Sequence, residues 1–306
     1  VQVKKAMFII AGLLLVGFLI YIFLPISNDT STEKTPSSIL KEQIEENLNS
    51  DTNVADEEQQ EETVDSDKPL REEIKDKVKQ ALEGAIGLFV NQDLDIVAIG
   101  DSLTQGVGDE TDHGGYVGIL NNTFENVEQD ITIENFGKRG NRTDQLLKRL
   151  DKEEISESIQ KADIVLITIG ANDIMKVVKN NFTDLRLEQF QTEREDYITR
   201  LHDIFDKINS INPDTEIYFI GFYNPFERYF TEIEQLGLII DNWNDTSKKV
   251  AEEYDNVHYI PTKDLFSNSN QELLSDDNFH PNTSGYKLIA QRVLEYLKSS
   301  IEEEAE

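Results

Sequence analysis

Apolar positions along this chain repeat with two periods, and the switches between them outline the elements. Pro69 opens a helical stripe in which Leu70, Ile74, Val78, Leu82, Ile86 and Phe89 follow one another at spacings of four and three. Beyond it, short continuous apolar runs alternate with helical patterns. Strands are predicted at Asp95–Gly100 (DIVAIG), Ile131–Phe136, Ile164–Gly170 (IVLITIG), Glu216–Phe222 (EIYFIGF) and Val257–Ile260. Helices are predicted around Tyr116–Phe124, Thr143–Leu150, Leu187–Ile211, Glu232–Tyr254 and Thr283–Ile301, with a polar, Gly-rich loop after the first strand. Strands that alternate with helices and are apolar on both faces belong to a parallel sheet covered on both sides. With right-handed crossovers, the expected fold is a doubly wound α/β class: a three-layer α/β/α sandwich around a five-stranded parallel sheet in flavodoxin-like order. One domain is expected over 69–306, with no internal repeat.

The chain before that domain follows other rules. Ala6–Leu24 is a run of 19 residues without a charge, about 28 Å as a helix and long enough for a bilayer core. Lys4 and Lys5 precede it and the next basic residue is Lys34, so the lysines are expected to stay cytoplasmic and the remainder to be exported. The run exceeds a typical signal-peptide core and ends in Leu24-Pro25-Ile26-Ser27 without an A-x-A-like site. Residues 1–26 are therefore expected to be an uncleaved transmembrane anchor, the alternative being a cleaved signal. Residues 27–68 are rich in Ser, Thr, Asn, Gln, Asp and Glu. They bury too little apolar surface to offset ordering entropy and are expected to form a disordered acidic linker, with a reach of about 35 Å.

Charge narrows the function. The formal net charge is −31 at pH 7, of which −10 falls on residues 28–68 and −23 on residues 69–306. A surface this acidic lacks the clustered Lys and Arg that phosphate backbones require, so nucleic acid is excluded as a general partner. Anionic lipid headgroups are excluded as a dock for the folded domain on the same ground. The absence of cysteine removes disulfides, Cys-ligated metals, iron–sulfur centres and a Cys nucleophile. No pair of histidines has metal-ligand spacing. The chain also lacks a G-x-x-x-x-G-K-[ST] phosphate loop and a G-x-G-x-x-G fingerprint. No metal and no cofactor are expected.

In a doubly wound fold, ligands bind beyond the carboxyl ends of the strands. Four polar clusters fall there: Gly100-Asp101-Ser102-Leu103, the stretch from Asn135 to Gly140, Gly170-Ala171-Asn172-Asp173, and Asp277-Asn278-Phe279-His280-Pro281. Each alone has an ordinary explanation, because Ser caps helices and Gly-Asn pairs make turns. Together and in this order they resemble the blocks of the SGNH, or GDSL-type, serine hydrolase superfamily, over residues 95–300. The run GDSLTQGVGD and the tether are most similar to membrane-anchored, extracytoplasmic members of Gram-positive bacteria. The resemblance implies Ser102 as nucleophile with Asp277 and His280 completing a triad. It further implies an oxyanion hole from the Ser102 and Gly140 backbone N–H groups and the Asn172 amide. Gly100, Asp101, Gly170 and Asp173 are motif supports.

The chemistry of these residue types agrees. A serine hydroxyl needs an imidazole to take its proton. His280 is the natural base, since His202 lies in a charged helix, His258 in a strand and His113 beside Gly114-Gly115 in a loop. Asp277, three residues before His280, reaches Nδ1 within one turn. A side chain at position 140 would obstruct close approach of the backbone to a substrate. No G-x-S-x-G elbow occurs, which argues against an ordinary α/β-hydrolase.

The expected activity is hydrolysis of an acyl ester outside the cytoplasm, through an acyl-enzyme. Candidate substrates are a lipid, a lysophospholipid or another acyl ester, or the O-acetyl groups of a cell-wall polysaccharide. Phe222, Tyr223, Phe226, Tyr229 and Phe230 are candidate acyl-pocket residues, with core packing as the alternative. A non-catalytic envelope-binding protein of the same fold is the competing class, although a pure binder has no need of the full set. Truncation tests the domain boundary. A chain beginning at Pro69 is expected to fold and to hydrolyse small esters as the full chain does. One beginning at Asn91 is expected to unfold or aggregate, because six large apolar side chains worth about 1.5–3 kcal/mol each on burial are lost. Circular dichroism melts that coincide for the two would remove the Leu70–Phe89 helix from the domain.

Overall fold

A computed structural model describes residues 94–111, 114–125, 131–181, 186–225, 234–267 and 272–304. The Ala6–Leu24 segment, the acidic linker and the Leu70–Phe89 stripe lie outside the described residues. Among the described residues no helix is long and apolar enough to cross a membrane.

Five strands form one parallel sheet: β1 (Leu94–Gly100), β2 (Ile131–Gly137), β3 (Ile164–Thr168), β4 (Glu216–Ile220) and β5 (Val257–Ile260). Their order is β2-β1-β3-β4-β5, the flavodoxin-like arrangement, with its switch point between β1 and β3. The helices are α1 (Ser102–Gln105), α2 (Gly115–Glu125), α3 (Thr143–Arg149), α4 (Glu153–Lys161), α5 (Ala171–Asn180), α6 (Leu187–Ile211), α7 (Glu234–Ala251), α8 (Lys263–Phe266) and α9 (Thr283–Glu304).

Pleating divides each strand between two cores. Val97 and Ile99 of β1, Val165 and Ile167 of β3, and Ile217 and Phe219 of β4 pack beneath α3–α7. Their neighbours Ile96, Ala98, Leu166, Tyr218 and Ile220 pack with α2 and α9, against Tyr116, Leu120, Tyr286 and Val293. All five residues of β3 are buried, which explains why its sequence reads as an unbroken apolar run. α6 turns one stripe inward, made by Phe190, Tyr197, Leu201, Ile204, Phe205 and Ile208.

Several boundaries differ from the sequence expectation. β3 stops at Thr168 and β4 at Ile220, two residues early in each case. After β3 the backbone must turn at once, because Gly170 takes φ +117° and caps α5. The Gly-rich stretch after β1 begins with a one-turn helix, α1, rather than a loop. Three further helices were not expected: α4, α5 and the one-turn α8. α4 buries only Ile155 and Ile159 among charged neighbours, too few apolar residues for a periodic signal. α5 starts with the Asn172-Asp173 pair, whose residue types read as a turn, yet both side chains are buried.

The carboxyl ends of β1 and β2 are tied together by Arg149, the last residue of α3. Its guanidinium donates to the Gly100 carbonyl at 3.3 Å, the Phe136 carbonyl at 2.6 Å and Asn141 Oδ1 at 2.9 Å. Arg149→Met keeps the stem and removes these donors, leaving buried Asn141 without its guanidinium partner. A loss of about 2 kcal/mol is expected, since bonds from a charged donor each contribute about 1.5–3 kcal/mol and this one is half-exposed. Urea melts measure it, and unchanged stability would show that water replaces the arginine.

Candidate active site

Ser102 follows β1 on a tightly held turn. Gly100 has φ +153°, and a Cβ there would stand 2.1 Å from the Thr168 carbonyl oxygen of the neighbouring strand. Only glycine fits so close an approach. The next residue, Asp101, donates its N–H to that same carbonyl at 3.0 Å. Its carboxylate caps α1 by accepting from the Leu103 N–H at 3.0 Å. The cap is therefore Asp101, and Ser102 is the first helical residue, 7% exposed.

Three buried hydroxyls lead to the Asp101 carboxylate. Thr168 Oγ1 donates to Asp101 Oδ1 at 3.0 Å, Thr104 Oγ1 lies 2.6 Å from Thr168 Oγ1, and Tyr116 Oη lies 3.2 Å from Thr104 Oγ1. Each hydroxyl has one proton. With the Thr168 proton given to Asp101, Thr104 must donate to Thr168 and Tyr116 to Thr104. Even so, burial outweighs these bonds and raises the Asp101 pKa from 3.8 to about 6.

His280 reaches Ser102 from the far end of the chain. Its Nε2 lies 2.9 Å from Ser102 Oγ across a sequence separation of 178 residues, and it is 2% exposed. Its Nδ1 lies 2.5 Å from Asp277 Oδ2. The other Asp277 oxygen accepts from the N–H groups of Phe279 at 2.9 Å and His280 at 2.8 Å, and from Ser275 Oγ at 2.9 Å. Burial by itself would raise the Asp277 pKa. The hydrogen bond and charge of His280, helped by the two backbone donors, overcome that and hold the carboxyl well below its ordinary range. With Asp277 ionised, Nδ1 carries the proton and Nε2 is the acceptor facing Ser102.

The second and third sequence blocks meet beside this pair. Asn135 donates to the Thr104 carbonyl at 2.9 Å, Lys138 N–H to the Gly100 carbonyl at 3.0 Å and Arg139 N–H to Gln105 Oε1 at 2.6 Å, so the loop after β2 runs along α1. Gly140 in that loop has φ +77°, a backbone requirement for glycine beyond the substrate approach expected from sequence. Asn172 Nδ2 donates one proton to the Asn141 carbonyl at 2.9 Å and keeps a second. Asp173, fully buried, accepts from Thr143 N–H at 3.0 Å, Thr143 Oγ1 at 2.6 Å and Arg200 at 3.1 Å. Burial raises its pKa against the pull of those donors. Asp173 thus fastens α5, which carries Asn172, to the start of α3.

An apolar cleft opens next to Ser102 and His280, with walls that include Ile169, Ala171, Ile220, Phe222, Tyr223 and Phe279. Of the aromatic stretch after β4, Phe222 and Tyr223 therefore face the cleft, while Phe226, Tyr229 and Phe230 lie outside the described residues. His113 does as well. His202 is half-buried rather than on a solvated face, its Nδ1 3.0 Å from Tyr254 Oη. His258, in the edge strand β5, stacks on Tyr218 and pairs with Glu216 at 2.6 Å. Neither residue reaches the cleft. Sequence reasoning passed over Thr168, Tyr116 and Arg149. Thr168 reads as one polar residue within an apolar run, and Arg149 as one of two adjacent basic residues at a helix end.

The model of the GDSL-like Lipase/Acylhydrolase family matches residues 98–288. Protein YpmR of Bacillus subtilis (strain 168), itself uncharacterized, is 35% identical over 207 residues, which are 66% of this chain and 81% of the relative. The spore germination lipase LipC of Bacillus licheniformis is 26% identical over 214 residues, 65% of this chain and 94% of that one. Among solved structures, the lipase Lip_vut3 from a goat rumen metagenome aligns with a TM-score of 0.59 and 26% identity, over 67% of this chain and 97% of the other. A variant of the acetylxylan esterase Axe2 of Geobacillus stearothermophilus shares the fold at a TM-score of 0.52 and 21% identity, over 66% and 93% of the two chains.

The buried Asp101 makes stability depend on pH in a stated direction. Its folded pKa of about 6 exceeds the ordinary 3.8, so between those values the folded state keeps a proton that the unfolded state has released. Its contribution to stability therefore falls as pH rises through that window. Asp101→Asn retains the Oδ1 acceptor for Leu103 and Thr168 and removes the ionisation. The stability of the variant relative to wild type is expected to rise by about 2 kcal/mol from pH 4 to pH 7. Parallel stability–pH curves for the two proteins would show that Asp101 titrates normally.

Proposed function

The chain belongs to the GDSL-like lipase/acylhydrolase family, whose members hydrolyse esters, and from that premise we propose that it is a serine ester hydrolase with Ser102 as nucleophile. The observation that carries this is the unbroken relay from Ser102 Oγ to His280 Nε2 at 2.9 Å and from His280 Nδ1 to Asp277 at 2.5 Å.

In the proposed reaction, Ser102 Oγ attacks the ester carbonyl as its proton passes to His280 Nε2. Asp277 stabilises the imidazolium and holds its orientation. The carbonyl oxygen becomes an oxyanion that accepts hydrogen bonds from the Ser102 and Gly140 N–H groups and the second Asn172 amide proton. Collapse of the tetrahedral intermediate breaks the C–O bond to the alcohol, which leaves with the proton from His280. Water then repeats the sequence on the acyl-enzyme and releases the acid. The acyl group lies in the apolar cleft walled by Ile220, Phe222 and Tyr223, so its hydrocarbon is desolvated while the alcohol faces outward.

The same reading places the domain outside the cytoplasmic membrane, anchored through residues 6–24 and extended by the acidic linker. The charge-free run behind two lysines supports this. Lipid and small acyl esters are the favoured substrates, supported by the apolar cleft and by the lipases LipC and Lip_vut3 among the similar proteins.

A serine-directed fluorophosphonate separates this reading from a non-catalytic binder. Labelling of the wild type but not of Ser102→Ala is expected. Ser102→Ala and His280→Ala should each lose about 10⁴-fold or more in turnover while remaining folded, because members of a relay act as a unit. Asn172→Ala should lower kcat by about 10²–10³ with little change in KM, since its amide matters most when the oxyanion forms. Hydrolysis profiled over acyl esters of rising chain length, beside acetylated glycans, identifies the substrate. Turnover confined to acetylated glycans would replace the lipid reading with the O-acetylesterase one. Full turnover by Ser102→Ala on any ester would remove the nucleophile assignment.

A further inference from the structure

His280 must stay within hydrogen-bond range of Ser102, yet it sits on a turn rather than on a helix or strand. The turn is shaped mainly by its own atoms. Asp277 Oδ1 gathers the N–H groups of Phe279 and His280 together with the Ser275 hydroxyl. The Ser275 N–H donates to the His280 carbonyl at 2.8 Å, and Leu274 and Pro281 form a bridge. Such bonds define the shape of the turn. They leave open where the turn stands relative to the sheet that carries Ser102.

A tie to the sheet comes from Tyr223. Its hydroxyl donates to the carbonyl of Phe279, the residue immediately before His280, at 2.6 Å. The backbone leading to Tyr223 is itself held. Gly221 extends the ladder of β4 by donating to the Ile260 carbonyl at 2.8 Å, and its own carbonyl accepts from Thr262 Oγ1 at 2.9 Å. Asn244 of α7 accepts from the Phe222 N–H at 2.8 Å and donates to the Phe222 carbonyl at 2.9 Å, while Tyr259 Oη donates to the same amide oxygen at 2.7 Å. The ring then stacks on Phe266 of α8, with centroids 4.1 Å apart and planes 22° from parallel. A phenol fixed in this way behaves as a rigid strut from the ends of β4 and β5 to the peptide that carries the imidazole.

We infer that Tyr223 is a positioning residue, whose hydroxyl sets the distance of His280 from Ser102 while its ring walls the acyl cleft. This rests on the serine hydrolase reading of the site. One side chain then links occupancy of the cleft to alignment of the base, because an acyl group that presses on the ring presses on the strut.

Tyr223→Phe separates the two duties, since it keeps the ring and deletes the hydroxyl. On a short soluble ester, kcat is expected to fall about 10–100-fold, the scale for a small displacement of a catalytic group, with KM within about twofold of wild type. Tyr223→Leu, which removes ring and hydroxyl together, should show the same loss in kcat plus an altered preference for acyl chain length. A Tyr223→Phe enzyme with wild-type kcat overturns the proposal. So does a rise in KM alone, which would make Tyr223 a cleft wall and nothing more, and so does a kcat loss matched by loss of near-ultraviolet circular dichroism at the assay temperature. Failure of the underlying reading looks different: the folded wild type would then show neither fluorophosphonate labelling nor ester turnover.

Discussion

The hydrogen bond from Ser102 Oγ to His280 Nε2 spans 2.9 Å between residues 178 positions apart, and much of the architecture serves to maintain it. No local structure can place such distant groups together. The parallel sheet does so by bringing the ends of β1, β3 and β4 to one edge, where Ser102, Asn172 and Tyr223 each emerge within a few residues of a strand. β1 and β3 are central and buried on both faces, so their ends have little freedom to move. The turn bearing His280 is the exception, since it lies ahead of α9 rather than at a strand end. That is why its ties to the sheet matter.

Two carboxylates flank the site with pKa values displaced in opposite directions. Asp277 stands beside an imidazole and two backbone donors, which hold it ionised well below its ordinary pKa. Asp101 is buried among hydroxyls, which solvate a charge less well than water, and its pKa rises to about 6. Environments that push two like groups apart allow each a distinct duty. Asp277 keeps a charge facing His280, and Asp101 spends its acceptor on the backbone that presents Ser102. Asp173 repeats the structural duty one strand away, tied to Thr143 and Arg200.

An acidic surface, an apolar cleft and a charge-free N-terminal run suit different parts of one task. Net negative charge disfavours settling of the domain on anionic headgroups, and in the proposed reading proximity to a membrane comes from the N-terminal run instead. The cleft by contrast offers hydrocarbon walls to the acyl portion of an ester. In that reading, substrate recognition and localisation rest on separate segments of the chain.

Much of this was legible in the residues themselves. Strands apolar on both faces and helices with a 3.6-residue stripe announce their type locally, which is why α6 was bounded correctly at Leu187 and Ile211. Ser102, Gly140, Asn172, Asp277 and His280 marked the candidate site through their order, because each alone has an ordinary use and only the four clusters together resemble the blocks of a serine hydrolase. What sequence did not reveal depends on partners far along the chain. α5 was missed because Asn172 and Asp173 resemble turn residues until Asn141, Thr143 and Arg200 arrive to satisfy them. Thr168 and Tyr116 looked like incidental polar positions, and only packing joined them to Asp101. Tyr223 read as one aromatic among five. Pattern and residue chemistry are local properties and determined the class of fold and the candidate relay. Which oxygen meets which donor, and how far each pKa moves, depends on contacts across more than a hundred residues, and those only the tertiary structure decided.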